Sequence, residues 1–389
     1  MSKDAILYVG PSDSVHTWLF INAFKAKGFE VGLAYDGPKP NIPNCYNLGL
    51  KTFNGVIDLL KHPLVTMRGT KDVTHHRLSR YIAFHKSAVV LKQAIQKFKP
   101  DVVHAHGASS CGIYTYFTGF HPYIISTWGS DMYVDPLRPD MRPFIQNALE
   151  RADVVHVESE RQELIARGLG AREVVVQGWG VDLSLFRPIK PDENFRRKLG
   201  IESKKVIISV RELFNQKYGI NTIIDAYSMV KKRVKDVKLL ICNDGVDKPL
   251  LEQQVRSHGL QHDVIFTGRI PQDALPQYYN LAHIYVQNPR TDSVSYSLLE
   301  AMACGLPVIS SNVGDTRENL RDGRNGLLFP HGNRDVLAEK MLNLLSDENF
   351  RRKLGNNARK WVEEHCDRTK AFENIETKLY LRLHKRCAR

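Results

Sequence analysis

Short runs rich in valine and isoleucine recur along this chain, separated by longer stretches with helical periodicity, and they come in two series. The first comprises residues 5–9, 31–35, 101–106, 123–127, 153–159 and 173–177; the second comprises 206–210, 238–242, 264–268, 284–288, 307–311 and 326–330. The runs are continuously apolar rather than alternating, as in parallel strands covered on both faces. Strands alternating with helices imply doubly wound α/β sheets. Two such series predict two domains of similar build, and 389 residues exceed what a single hydrophobic core usually supports. The segment Phe186-Arg187-Pro188-Ile189-Lys190-Pro191 carries two prolines that break helix and strand alike. It sets the expected boundary, with a first domain over residues 1–187 and a second over 188–370. Phe372, Ile375, Leu379 and Leu383 fall on one helical face, so residues 371–389 are expected to form a final helix that must pack on something.

Composition excludes several classes. Apolar residues make up 42% and charged residues 25%, as in a soluble globular protein. No run approaches the roughly 18 apolar residues of a membrane span. Met1-Ser2-Lys3-Asp4 leads directly into a short apolar run, too short for a secretory signal, which predicts the first buried strand of a cytoplasmic protein. The six cysteines, at 45, 111, 242, 304, 366 and 387, show no spacing typical of zinc ligation or redox work. The formal net charge is +13, and residues 51–100 hold ten Lys/Arg against Asp58 and Asp72 alone. Such a basic stretch suits nucleic acid, anionic lipid or a phosphorylated substrate, or is simply a solvated face.

The motifs narrow the chemistry. After the first run, Gly10-Pro11-Ser12-Asp13-Ser14-Val15-His16 lacks the three spaced glycines of a dinucleotide-binding turn. No glycine-rich loop ending in Lys-Ser/Thr occurs either, which counts against a dehydrogenase or a P-loop NTPase. In the second half, the stretch from Asp292 to Pro307 reads as loop, helix and strand, the helix starting near Ser295 and stopping at Gly305. A helix N-terminus there would present free N–H groups and partial positive charge to a phosphate. Glu300 lies deeper in that helix beside an apolar run, where its carboxylate needs a partner such as paired ribose hydroxyls. Arg211 follows the run 206–210 and Lys217 comes just beyond. In open α/β sheets ligands bind outside the carboxyl ends of strands, where a guanidinium fork and an ammonium suit a diphosphate. The alternative is two surface cations. No Asp-x-Asp pair is present, so a metal-bridged diphosphate is not expected.

With these residues in hand, the chain resembles glycosyltransferase family 4, retaining enzymes of the GT-B fold. The resemblance rests on Ser209-Val210-Arg211 to Lys217-Tyr218-Gly219, on Asp292 and Glu300 seven residues apart, and on Ala301-Met302-Ala303-Cys304-Gly305-Leu306-Pro307-Val308-Ile309. It also rests on Asp322-Gly323-Arg324-Asn325-Gly326-Leu327-Leu328, on Gly180-Val181-Asp182 with Phe186-Arg187-Pro188, and on Trp128-Gly129-Ser130-Asp131. The chain carries Asp292 where the family usually has Glu, Val210 where it has Gly, and Trp128 in a segment where many relatives place His. The resemblance implies two Rossmann-like domains facing a cleft, the first holding the acceptor, the second the nucleotide sugar, and the last helix crossing back to the first. Arg211 and Lys217 would hold the donor diphosphate, and Glu300 the ribose. Asp292, Ser295 and Tyr296 would face the transferred sugar and phosphates, and Gly268 and Arg269 would lie near the base. In the first domain, Asp131 is the candidate for a polar contact with the reacting groups. His106 is a catalytic candidate, as are His16 and His104, each of which also reads as a structural histidine.

The expected activity is transfer of a sugar from a UDP- or GDP-sugar to an acceptor hydroxyl in glycan or glycolipid synthesis, with no cofactor and no catalytic metal. Residues 51–99 would approach an anionic membrane carrying a lipid-linked acceptor. Two other readings remain at this stage. One is a sugar-nucleotide epimerase, since a fold does not fix a function. The other is a basic nucleic-acid-binding protein, for which no binding module is visible.

Overall fold

The computed structural model describes residues 4–41, 43–48 and 70–383. The chain forms two compact units, one of residues 1–177 with 372–389 and one of residues 178–371. The division falls between Gln177 and Gly178, not at the expected 187/188. The reason is packing: Val181 and Phe186 are fully buried in the second unit's core. The two prolines that follow mark the end of that packed segment rather than a domain border.

Among the described residues the first unit holds seven parallel strands: β1 Ala5–Pro11, β2 Glu30–Asp36, β3 Cys45–Asn47, β4 Val102–His106, β5 Tyr123–Ser126, β6 Val154–Val157 and β7 Val174–Val176, in the order 3-2-1-4-5-6-7. The second holds six: β8 Lys205–Val210, β9 Val237–Cys242, β10 Val264–Gly268, β11 Ile284–Gln287, β12 Val308–Ser311 and β13 Leu327–Phe329, in the order 10-9-8-11-12-13. Twelve of these thirteen strands correspond to the apolar runs. β3 does not; it is a three-residue edge strand, too short and too exposed to need an apolar signature. In both sheets the order reverses beside the first strand of the series, between β1 and β4 and between β8 and β11. Ligands of open α/β sheets bind at such reversals, outside the strands' carboxyl ends.

The continuity of the apolar runs has its cause in the layers. Along β8, Ile207 packs into one core with Leu239, Ile241 and Val286. Its neighbours Val206 and Ile208 pack on the other face with Leu240, Tyr285 and Val308. Both faces are covered, so alternate residues are all apolar.

One face of the first sheet is different. Register places Tyr8 beside His104 and Ser126 beside His156. There the returning chain, from Phe372 through the π-turn Glu376–Tyr380 to Leu383, covers the sheet. The Tyr380 hydroxyl lies 3.2 Å from that of Tyr8 and 2.6 Å from His104 Nδ1. Phe372 meets Phe20 edge-on, Lys27 pairs with Glu376, and Arg382 pairs with Glu173 at 2.7 Å.

Candidate active site

The second unit's reversal gathers the charged residues. The loop after β8 delivers Arg211, and the loop after β11 delivers Asp292 and Ser295. Arg211 donates through Nη2 to Asp292 Oδ2 at 2.7 Å, and through Nη1 to Ser295 Oγ at 2.7 Å and Ser297 Oγ at 3.3 Å. Both partners of the ion pair are nearly buried, with side chains 9% and 12% exposed. Burial alone would lower the pKa of the guanidinium, but Asp292, Tyr285 and Tyr218 more than offset it and keep Arg211 charged. The serines are themselves held from below. Ser295 Oγ donates to Gln287 Oε1 at 2.8 Å, the Tyr285 hydroxyl lies 2.9 Å from Ser297 Oγ, and Gln287 Nε2 donates to Ser310 Oγ at 3.0 Å. A charged fork fixed on three sides is preorganised, with no reorientation left to make when an anion arrives.

Lys217 reaches the same place through an aromatic ring. The guanidinium of Arg211 lies 4.2 Å from the Tyr218 ring centroid, and Lys217 Nζ lies 5.1 Å from it. The main chain ties the two loops as well, with Arg290 N donating to Lys217 O at 2.7 Å. On the other side of Asp292, Gly314 makes a close approach. It adopts φ +54°, and a Cβ there would sit 2.0 Å from Asp292 O, so only glycine leaves that carbonyl in place.

The helix Tyr296–Ala303 starts one residue after the expected position, with Ser295 as its N-cap. Ser295 makes no side-chain cap, because its hydroxyl is engaged by Arg211 and Gln287. Tyr296, at the first helical position, stacks on Trp179. One turn on, Glu300 is 7% exposed and accepts from the Tyr279 hydroxyl at 3.1 Å. Burial pushes its carboxyl up to about 7, against the opposing pull of Tyr279, Arg368 and Gln272. Gly268 ends β10, its carbonyl accepting from Asn243 N at 2.9 Å. Arg269 lines a cavity of about 520 Å³ with Glu212, Asn243, Ile270 and Pro271, at the carboxyl ends of β8, β9 and β10. Eight of the sequence candidates thus lie on one sheet edge. Sequence reasoning gave no role to Tyr218, Ser297, Gln287, Tyr285 and Tyr279. Tyr218 and Ser297 stood inside quoted motifs; the others become visible only when strands and helices pack.

The first unit's candidates are placed otherwise. Asp131 is buried, and its two oxygens accept from Ala108 N at 2.8 Å and Trp128 N at 2.9 Å. It joins the loops after β4 and β5, and burial raises its carboxyl above the usual range. His106 is 2% exposed; Nδ1 lies 3.1 Å from Thr17 Oγ1, and Nε2 has no partner among the described residues. Packed between Phe20, Tyr8 and Trp128, it is held neutral, its pKa lowered by burial to about 3. His104 is fully bonded within the fold, to Tyr380 and, at 2.7 Å, to Ser126 Oγ. His16 lies against Trp128, its pKa lowered by burial to about 4. Among the described residues no group of three or more His, Cys, Asp or Glu is arranged to hold a metal ion.

Residues 191–361 match the family model of the glycosyl transferases group 1, and residues 5–159 match that of the glycosyl transferase 4-like proteins. N-acetyl-α-D-glucosaminyl L-malate synthase of Bacillus anthracis is 27% identical over 302 residues, 75% of this chain and 77% of that one. Among solved structures, sucrose-phosphate synthase from Thermosynechococcus elongatus aligns at a TM-score of 0.78 and 20% identity, over 98% of this chain and 100% of that one. Anabaena HepE in complex with UDP-glucose aligns at 0.73 and 18% identity, over 96% and 99%. At these identities the two structures speak for the fold alone. Two parallel α/β sheets and a matched family model over each put the whole on one footing: the chain belongs to glycosyltransferase family 4 and is a glycosyltransferase of the GT-B fold.

Proposed function

We propose that the protein moves a glycosyl group from a nucleotide-diphosphate sugar, a UDP- or GDP-sugar, to an acceptor hydroxyl with retention of anomeric configuration. The observation that carries this reading is the arrangement around Arg211, a buried cation fixed at a helix N-terminus on the ligand-binding edge of the second sheet. The bond between the sugar's anomeric carbon and the diphosphate breaks. The acceptor oxygen bonds that carbon on the same face, and its proton passes to the departing phosphate oxygen. Charge then grows on the diphosphate, where Arg211, Lys217 and the helix N-terminus meet it without a catalytic metal. Glu300 takes the ribose hydroxyls, and Arg269 lies by the base. Asp292 faces the transferred sugar once the diphosphate takes its place on Arg211. The first unit binds the acceptor, and Asp131 holds its loops. UDP-glucose in the HepE complex supports a nucleotide-sugar donor, and none of the relatives named above is called an epimerase.

The acceptor is a glycan or a lipid-linked glycan presented at an anionic membrane surface. No described helix is long and apolar enough to cross a membrane, so the contact is peripheral. Of the basic stretch, residues 51–69 lie outside the described residues. The helix Thr70–Phe98 exposes Ile82 and Val89, two turns apart, on the element that carries Lys86 and Lys92. Apolar side chains among cations suit an interfacial face. Arg80, by contrast, is committed to Asp140.

A thermal-shift panel of UDP, GDP, ADP and their common sugars on wild type and Arg211→Ala tests the donor site. Selective stabilisation by one nucleotide, lost in the variant, is the expected result. Equal stabilisation of both proteins would remove Arg211 from the site. Flotation with anionic liposomes at low salt tests the membrane contact, and a protein left at the bottom of the gradient would end that part of the proposal.

A further inference from the structure

Two distant stretches of chain meet beside the helix Tyr296–Ala303. Residues 178–181 follow the division between the units, and residues 366–368 precede the return to the first unit. They pair in parallel. Val181 N donates to Cys366 O at 2.7 Å, and Arg368 N donates to Val181 O at 3.1 Å, around a bridge between Val181 and Asp367. Gly180 permits the approach. It adopts φ +67°, and a Cβ there would lie 2.7 Å from the Arg368 main chain, so a side chain would part the two segments.

The first of them sends a side chain onto that helix. Trp179, 2% exposed, stacks on Tyr296 with ring centroids 4.9 Å apart and planes 11° apart. Its backbone N–H donates to the Tyr296 hydroxyl at 3.1 Å. The paired segments therefore touch the helix at its phosphate end.

We infer that the paired segments 178–181 and 366–368 brace the donor-binding helix, with Trp179 the positioning residue for Tyr296. This rests on the donor-site reading above. A helix N-terminus binds an anion only when its N–H groups point at it, and small misplacements cost heavily. A buried rigid ring against the first helical residue fixes that aim.

The experiment is titration with UDP and with GDP at one fixed pH, joined to donor and acceptor KM values. The proteins are wild type, W179L, W179F and R211A. W179L keeps apolar bulk but loses the stack. It is expected to weaken nucleotide binding and raise donor KM about tenfold, the scale of one aromatic pair, with acceptor KM unchanged. W179F restores binding. A folded W179L that binds nucleotide as tightly as wild type overturns the brace. Wild-type binding by R211A would instead overturn the donor-site reading on which the brace rests.

Discussion

Both sheets reverse their strand order beside their first strand, yet the two units use their polar side chains in unlike ways. Across one face of the first sheet, from β4 to β7, the Tyr380 hydroxyl, His104, Ser126, His156 and the Gln177 carbonyl form one buried hydrogen-bonded chain. Burial lowers the basicity of both histidines, and His106 and His156 lower that of His104 further. At the reversal of the second sheet, Arg211 pairs with Asp292, Arg211 and Lys217 flank the Tyr218 ring, and the loops hold them at a helix start. The same topology thus serves a packed seam in one unit and an electrostatic site in the other. Topology offers the edge, and the residues placed there decide whether it is filled or left to a ligand.

The comparison can be broken most sharply at Arg211. Arg211→Ala is expected to lower turnover by about 100-fold or more, the scale of a lost preorganised donor, in a steady-state assay. Near-normal turnover would mean the charged edge does not carry the chemistry. The counterpart in the first unit is Ser126→Ala, which leaves the ring nitrogens of His104 and His156 without their shared hydroxyl. It is expected to cost about 2 kcal/mol of stability in a denaturant melt, with donor affinity unchanged. A melt like that of wild type would show that the hydrogen-bonded chain contributes nothing.

Glu300 sharpens the comparison through pH. Its carboxyl is raised by burial to about 7, so the stability it lends the ligand-free fold is complete below the unfolded carboxylate pKa and lost as pH rises through about 7. Ribose hydroxyls that donate to the carboxylate favour its ionised form, so donor affinity is expected to rise about tenfold from pH 6 to pH 8. UDP-glucose is a suitable ligand, because its diphosphate does not titrate there. Glu300→Gln should flatten the profile, and a flat wild-type profile would exclude an ionised Glu300 from the site. The smallest expected effect is that of EDTA, which should leave activity unchanged. Activity lost in EDTA and restored by a divalent cation would contradict charge stabilisation by Arg211 and Lys217 alone.

Much of this was legible before folding. Valine-rich runs read as strands because both sheet faces are buried, and the segment from Ser295 to Gly305 read as a helix from its terminal residues. That Arg211 and Asp292 come together at the start of the helix carrying Glu300 was legible from their places after two strands of one sheet. The division at 177/178 was not legible, because Val181 and Phe186 belong to the second core by contacts made far along the chain. Nor was the contrast among the histidines, since a residue letter carries no burial.

Local order in the chain set the strands, the helices, their parallel arrangement and the charges available at each strand end, because these follow from periodicity, capping and the short reach of neighbouring residues. Long-range packing alone decided which of those charges are held together. Arg211 meets Ser295 and Asp292 across more than eighty residues, and Trp179 meets Tyr296 across 117. Desolvation, which holds His106 neutral and lifts Glu300, exists only once the surrounding layers have closed.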